Sequence, residues 1–253
     1  MNEPEIQRVA LVTGGAVRLG RAIALGFARA GYDVLVHYHA SEEPAREVVR
    51  LVEAMGRRGA AVRADLSRPG EPRLLLDALT HAFPRLDVLV NGAAGFDATP
   101  LLDVDAEAWD RVLALNVRAP HLMVREAAPF LSETRGAVVN LVDLSAFQPW
   151  TEYPVHAVSK AALAHLTRVQ ARALAPRVRV NAVAPGAVLP PDDYPAERLE
   201  ALRARTPLQT LGTPDDVVEA VLFLARAPYV TGQVLAVDGG RLLGAPAPPG
   251  AEG

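Results

Sequence analysis

Lys160 is the only lysine in the chain; the other twenty-five basic residues are arginines. It closes the run Tyr153-Pro-Val-His156-Ala-Val-Ser-Lys160. An ammonium is a compact point charge whose pKa moves with its surroundings, whereas a guanidinium is a rigid, permanently charged fork. A position that keeps lysine in an arginine-rich chain points to chemistry. His156 and Lys160 are four residues apart, so on a helix they share a face, with Cβ atoms about 6 Å apart. An imidazole titrates near neutral pH. His156, beside that ammonium, is therefore a candidate general acid.

These groups need a scaffold, and the hydrophobic pattern supplies one. Short apolar runs fit strands at Val9–Thr13, Val34–His37, Ala61–Ala64, Val88–Asn91, Ala137–Val142, Val178–Val183 and Val234–Val237. Amphipathic stretches near 19–30, 43–58, 71–82, 105–131, 155–175 and 214–226 alternate with them as helices. Several strands are apolar throughout, as strands buried on both faces must be. The alternation predicts a doubly wound α/β fold, with a mainly parallel seven-stranded sheet and helices on both faces. Thr213, Pro214, Asp215 and Asp216 mark the start of the last helix.

The chain has 253 residues, half of them hydrophobic, which suits one domain over residues 1–243. The tail 244–253 is poor in packing residues and reads as disordered. A net charge of −3 with no basic stripe argues against a nucleic-acid partner. The absence of cysteine excludes disulfides, thiolate zinc sites and cysteine nucleophiles. His81, His121 and His165 show no ligand-like spacing, so no metal is expected. The polar start and the lack of a long apolar run suggest a cytoplasmic protein with no membrane partner.

The first strand runs into Thr13-Gly14-Gly15-Ala16-Val17-Arg18-Leu19-Gly20, followed by a helix. Such a turn lets the backbone close around a pyrophosphate at a helix N-terminus. Arg18 takes a place where glycine would be the simpler choice. The second strand ends in His37-Tyr38-His39-Ala40-Ser41, with no acid to bind a ribose diol or repel a 2′-phosphate. Arg18, His37, His39 and Ser41 are the candidate 2′-phosphate ligands, so NADP(H) is the expected cofactor. Asp65 and Leu66 end the third strand near the place of an adenine. Asn91 and Ala93 end the fourth strand, and Pro185, Gly186 and Val188 follow the sixth. These positions describe one ligand crossing the carboxyl ends of the strands.

On these motifs, with Asn116-Val-Arg-Ala-Pro120 and Tyr229-Val-Thr-Gly232, the chain resembles the short-chain dehydrogenase/reductases. The resemblance implies a homotetramer built partly from the long helices. It also implies a catalytic group of Asn116, Asp143, His156 and Lys160, with Asn116 anchoring a helix and a relay water. Within that superfamily the chain resembles the pteridine reductases. Arg18 in the turn, the His37–Ser41 stretch, and Asp143 in the place of a serine carry that resemblance. So do Phe96, where a pterin would stack, and Tyr153 beside the pocket. The family's catalytic tyrosine aligns with His156, Gly92 stands where asparagine is usual, and Ala94 replaces a small polar residue.

The implied activity is NADPH-dependent reduction of a pterin or dihydropterin, with Arg18, Phe96, Asp143 and Tyr153 facing the substrate. Three readings of the site stand side by side. His156 and Asp143 deliver the proton together; or Asp143 or a water delivers it while His156 fills space; or the chain binds NADPH without chemistry. A 3-oxoacyl or quinone reductase is the alternative enzyme.

Overall fold

Strands β1 (Val9–Thr13), β2 (Asp33–Tyr38), β3 (Gly59–Arg63), β4 (Val88–Asn91), β5 (Ala137–Leu141), β6 (Arg179–Pro185) and β7 (Val234–Val237) form one sheet. Its order is β3-β2-β1-β4-β5-β6-β7. Every neighbouring pair is parallel, so the expected mainly parallel sheet is parallel throughout. The coordinates are a computed structural model that describes residues 7–191 and 193–244. The expected disordered tail lies outside the described residues apart from Gly244.

Side chains alternate across the sheet and feed two cores. Ala10, Val12, Val34, Val36 and Val90 pack against α1 (Arg18–Arg29) and α8 (Pro214–Arg226). Val9, Leu11, Leu35, Leu89, Val138 and Val180 pack against α3 (Glu71–Ala82) and α5 (Ala119–Thr134). Each fully buried aliphatic side chain stabilises the fold by roughly 1.5–3 kcal/mol. The expected start of α8 forms as a capping box between Thr213 and Asp216.

Two helical segments depart from the sequence pattern. The continuous helix expected over 105–131 is split into α4 (Ala106–Leu113), a π-turn at Ala114–Arg118, and α5. The wider turn brings Asn116 inward, where it is buried; π-turns of this kind concentrate at functional sites. A short helix at Ala196–Ala204, α7, was not expected. It has no buried residue, so the segment carries no apolar periodicity to read. The remaining helices are α2 (Glu42–Ala54) and α6 (Pro154–Leu174). No described helix is long and apolar enough to cross a membrane.

The chain winds outward from β1 in both directions, to β2 and to β4. The carboxyl ends of β1 and β4 therefore face a gap between crossovers, where open α/β sheets bind ligands.

Candidate active site

A crevice of about 680 Å3 opens over these strand ends. The glycine turn forms one wall. Gly14 has φ +67°, and a Cβ there would meet the Ala93 backbone at 3.0 Å. A Cβ on Gly20 would lie 2.0 Å from the Gly14 carbonyl oxygen. Any larger residue would push α1 off the turn. Val17, the cap residue of α1, makes no side-chain cap bond. The first N–H groups of the helix therefore need an outside acceptor, and Arg18, Leu19 and Gly20 line the crevice there. The arrangement fits a dinucleotide pyrophosphate.

Arg18 carries φ +49°, a backbone region that glycine enters freely and arginine does not. Its guanidinium donates to the Leu189 carbonyl oxygen at 2.6 Å. That bond ties the glycine turn to the segment after β6, where Pro185, Gly186 and Val188 line the same crevice.

His39 and Ser41 line the crevice beyond β2. His37 requires a correction. It is buried, and the Gly14 amide donates to its Nδ1 at 3.0 Å. Nδ1 is thus an acceptor, which places the proton on Nε2, where it donates to the Ala64 carbonyl oxygen at 3.1 Å. Burial, the largest influence, pushes the His37 pKa down to about 4. A neutral imidazole with both nitrogens engaged is a clasp for the glycine turn, not a phosphate ligand.

Asp65 and Leu66 line the crevice after β3. The Asp65 carboxylate accepts from the Ser67 hydroxyl at 2.6 Å and the Ser67 amide at 3.1 Å. Those bonds, the hydroxyl first, hold its pKa below the usual range. After β4, Ala93 lines the crevice, but Asn91 does not. Its Nδ2 donates to Asn140 Oδ1 at 2.8 Å, inside the sheet. Cross-strand pairing with β5 turns the Asn91 side chain inward, so only its backbone stands at the strand end.

The floor of the crevice holds Lys160 and Asp143. Lys160 Nζ is buried and donates to the Leu141 carbonyl oxygen at 2.8 Å. Burial pushes its pKa down, and the Asp143 charge opposes that shift. Asp143 starts a 3-10 turn and accepts from the Ser145 amide at 2.9 Å and from the Ser145 hydroxyl. Burial is the largest influence on its carboxyl and pushes the pKa up. The hydrogen bond from His156, the Lys160 charge and the Ser145 bond outweigh it and hold the group below its usual value.

His156 lies behind this pair. Its Nε2 is 2.7 Å from Asp143 Oδ2 and its Nδ1 is 3.2 Å from the Gly95 carbonyl oxygen. It is fully buried, with the Phe96 ring stacked on it at 3.8 Å between centroids. His156 therefore does not face the crevice, and direct proton delivery from its ring is excluded by burial. Phe96 lines the crevice and is 62 % exposed, yet one face is already taken by His156. Tyr153 does not line the crevice; it meets Phe96 in a T-shaped contact at 5.4 Å.

Asn116 is buried at the π-turn. Its Oδ1 accepts from the Gly95 amide at 2.7 Å, and its Nδ2 donates to the Gly95 carbonyl oxygen at 3.0 Å and to Ser159 Oγ at 2.9 Å. Both of its side-chain donor hydrogens are spent on protein atoms, so the side chain clamps the Gly95 peptide.

Three contributors carry little or no signal in the sequence. Thr13 Oγ1 accepts from the Gly92 and Ala93 amides at 3.0 and 3.2 Å and so shapes the turn after β4. Trp150 lines the crevice from the loop before α6. Ser145 orients Asp143. Only the last has a local signal, an acceptor two residues before a serine.

A family model described as "Enoyl-(Acyl carrier protein) reductase" matches residues 15–241. A "Granaticin polyketide synthase putative ketoacyl reductase 2" of Streptomyces violaceoruber is 40% identical over 241 residues, 92% of this chain and 95% of that protein. A 3-oxoacyl-acyl-carrier-protein reductase of Staphylococcus aureus is 34% identical, over 93% of this chain and 98% of that protein. The crystal structure of a blue fluorescent protein from a metagenomic library in complex with NADPH superposes with a TM-score of 0.85 at 36% identity. That match covers 92% of this chain and 97% of the other. With the glycine turn, the parallel sheet and the Lys160 floor in place, this full-length similarity puts the chain in the short-chain dehydrogenase/reductase superfamily.

Proposed function

We propose that this protein is an NADPH-dependent carbonyl reductase acting on a 3-oxoacyl compound. The observation that carries it is that Lys160 and Asp143 both line a crevice fitted to a dinucleotide. The two curated relatives are named as ketoacyl reductases and match over nearly all of their length. They support carbonyl reduction better than pterin reduction.

The bound cofactor supplies a hydride. The glycine turn and the start of α1 hold its pyrophosphate. Arg18, His39 and Ser41 hold the 2′-phosphate, and Asp65 and Leu66 flank the adenine. Ala93, Pro185, Gly186 and Val188 shape the nicotinamide end, where Lys160 binds the ribose. Positive charge from Lys160 also stabilises the negative charge that develops on the substrate oxygen. The superfamily resemblance further implies a homotetramer through α5 and α6. Val158 and Val169 on α6, each about half exposed, support it, and light scattering tests it.

A second reading keeps the pterin substrate. It is favoured by Asp143 at the floor, by the exposed face of Phe96 and by Arg18 at the crevice wall. One experiment separates the two: NADPH oxidation with an acetoacetyl thioester, a small diketone, dihydrobiopterin and dihydrofolate. Turnover of the thioester is expected. Turnover of the dihydropterins alone moves the assignment to the second reading. No turnover with NADPH bound overturns both.

A further inference from the structure

The two ring nitrogens of His156 face two oxygens and no donor. Nε2 meets the Asp143 carboxylate at 2.7 Å, and Nδ1 meets the Gly95 carbonyl at 3.2 Å. A neutral imidazole carries one N–H and one lone pair. Beside a carboxylate it would leave a lone pair against an oxygen on one side or the other, in a site with no water access. An unpaired contact of that kind is destabilising in a buried site. The Gly95 oxygen cannot rotate away, because Asn116 bonds the Gly95 peptide at both its N–H and its C=O. Ser159 locks the clamp, accepting from Asn116 Nδ2 and donating to the His156 carbonyl oxygen at 2.6 Å.

We propose that the His156–Asp143 pair stores one proton more than a neutral imidazole and a carboxylate hold, and that Asp143 is the exit through which it reaches the substrate. This rests on the reductase reading above. One proton sits on Nδ1 and points at Gly95. The second lies between Nε2 and Oδ2. The Asp143 carboxylate contacts the imidazole, and the Lys160 ammonium lies four residues on along α6. The first favours the extra proton and the second opposes it. The Phe96 face at 3.8 Å favours a cationic ring further and closes it from solvent. His156 thus stores the proton, while Asp143 faces the crevice and hands it on.

Atoms and charges balance as follows. The carbonyl carbon gains a hydride with its two electrons, the C=O π bond breaks, and the oxygen gains one proton from Asp143. That proton is the one held between Nε2 and Oδ2, which moves onto Oδ2 as it leaves, so Asp143 ends as a carboxylate. His156 is left neutral, with Nδ1–H still on Gly95. The store refills from solvent through Asp143 when the crevice empties. Asn116 is a positioning residue in this scheme, acting only through the Gly95 carbonyl.

Nitrogen NMR on full-length, histidine-labelled protein with NADP+ bound tests the stored proton. The His156 signals are assigned by their loss in His156→Gln. Both ring nitrogens protonated near neutral pH is the expected result; one bare nitrogen overturns the proposal. Asn116→Ala should abolish or speed the exchange of the Nδ1 proton while leaving NADPH affinity unchanged. An unaltered Nδ1 signal would remove Asn116 from the scheme. With an active substrate, His156→Gln should lower kcat about 100-fold or more with little change in KM. It should also flatten the alkaline fall of kcat. If the signals show two protons but His156→Gln keeps kcat within about twofold, the relay is wrong. If the wild type turns over nothing, the reductase reading fails, and the NMR result still decides the proton inventory by itself.

Discussion

The Phe96 ring lies nearly flat on the His156 imidazole, with 3.8 Å between centroids and 23° between planes. The ring is 62 % exposed while the imidazole beneath it is fully buried. Phe96 therefore acts less as core than as a cover. Phe96→Ala should lower stability by only about 1 kcal/mol, the scale of an aromatic contact. Exchange of the His156 ring protons with water should accelerate by about tenfold or more, since the loss of one cover residue admits solvent. Unchanged exchange would show that another side chain seals the histidine.

His37 makes stability depend on pH, and the sign follows from its pKa. That value falls from 6.5 to about 4 on folding, chiefly through burial. As pH drops below 6.5, the unfolded chain takes up a proton that the folded one refuses. The contribution is complete above the unfolded pKa and is lost between pH 6.5 and about 4. The loss is on the order of 3 kcal/mol. His37→Gln can still accept from Gly14 and donate to Ala64 without titrating. Urea midpoints across that range should show the wild type losing stability relative to the variant as pH falls. A gap that stays constant would mean His37 does not titrate with folding.

Lys160 sits where only a compact cation fits. Nζ is buried against the Leu141 carbonyl, with Asp143 as its counter-charge. A guanidinium would bring a wider planar group and several donors without partners into that space. Lys160→Arg should reduce kcat/KM at least about tenfold, a modest loss for a group at the reacting end, and should weaken NADPH binding. Near-wild-type kinetics would leave Lys160 with no role beyond packing.

Much of the fold is legible in the sequence because its signals are local. Apolar runs bounded by glycines mark β1, β4 and β7 to the residue, and the Thr213–Asp216 cap marks the start of α8. The site is legible as a set of positions and less so as a set of roles. Nothing in the local sequence says that His37 faces inward and His39 outward at a strand end, or that Asn91 pairs with Asn140 across the sheet. Those orientations depend on neighbours 23 and 49 residues away. The same holds for His156. Helical spacing brings it near Lys160, but its burial under Phe96 and its bond to Gly95 come from a loop 61 residues earlier.

Arg18 combines two properties that one substitution can separate. Its backbone, at φ +49°, is where an L-residue is strained by about 1–2 kcal/mol and glycine is not. Its side chain is exposed, and the bond it makes there, to the Leu189 carbonyl, is worth little in water. For stability alone glycine is the better residue, so a retained arginine implies a role for the guanidinium in the crevice. Arg18→Gly should therefore hold or raise the melting temperature while lowering the preference for NADPH over NADH by about tenfold, the scale of one lost charge-assisted contact. The readouts are a thermal melt and paired cofactor titrations. A variant that is less stable and equally selective would assign Arg18 to the Leu189 contact instead of to the 2′-phosphate.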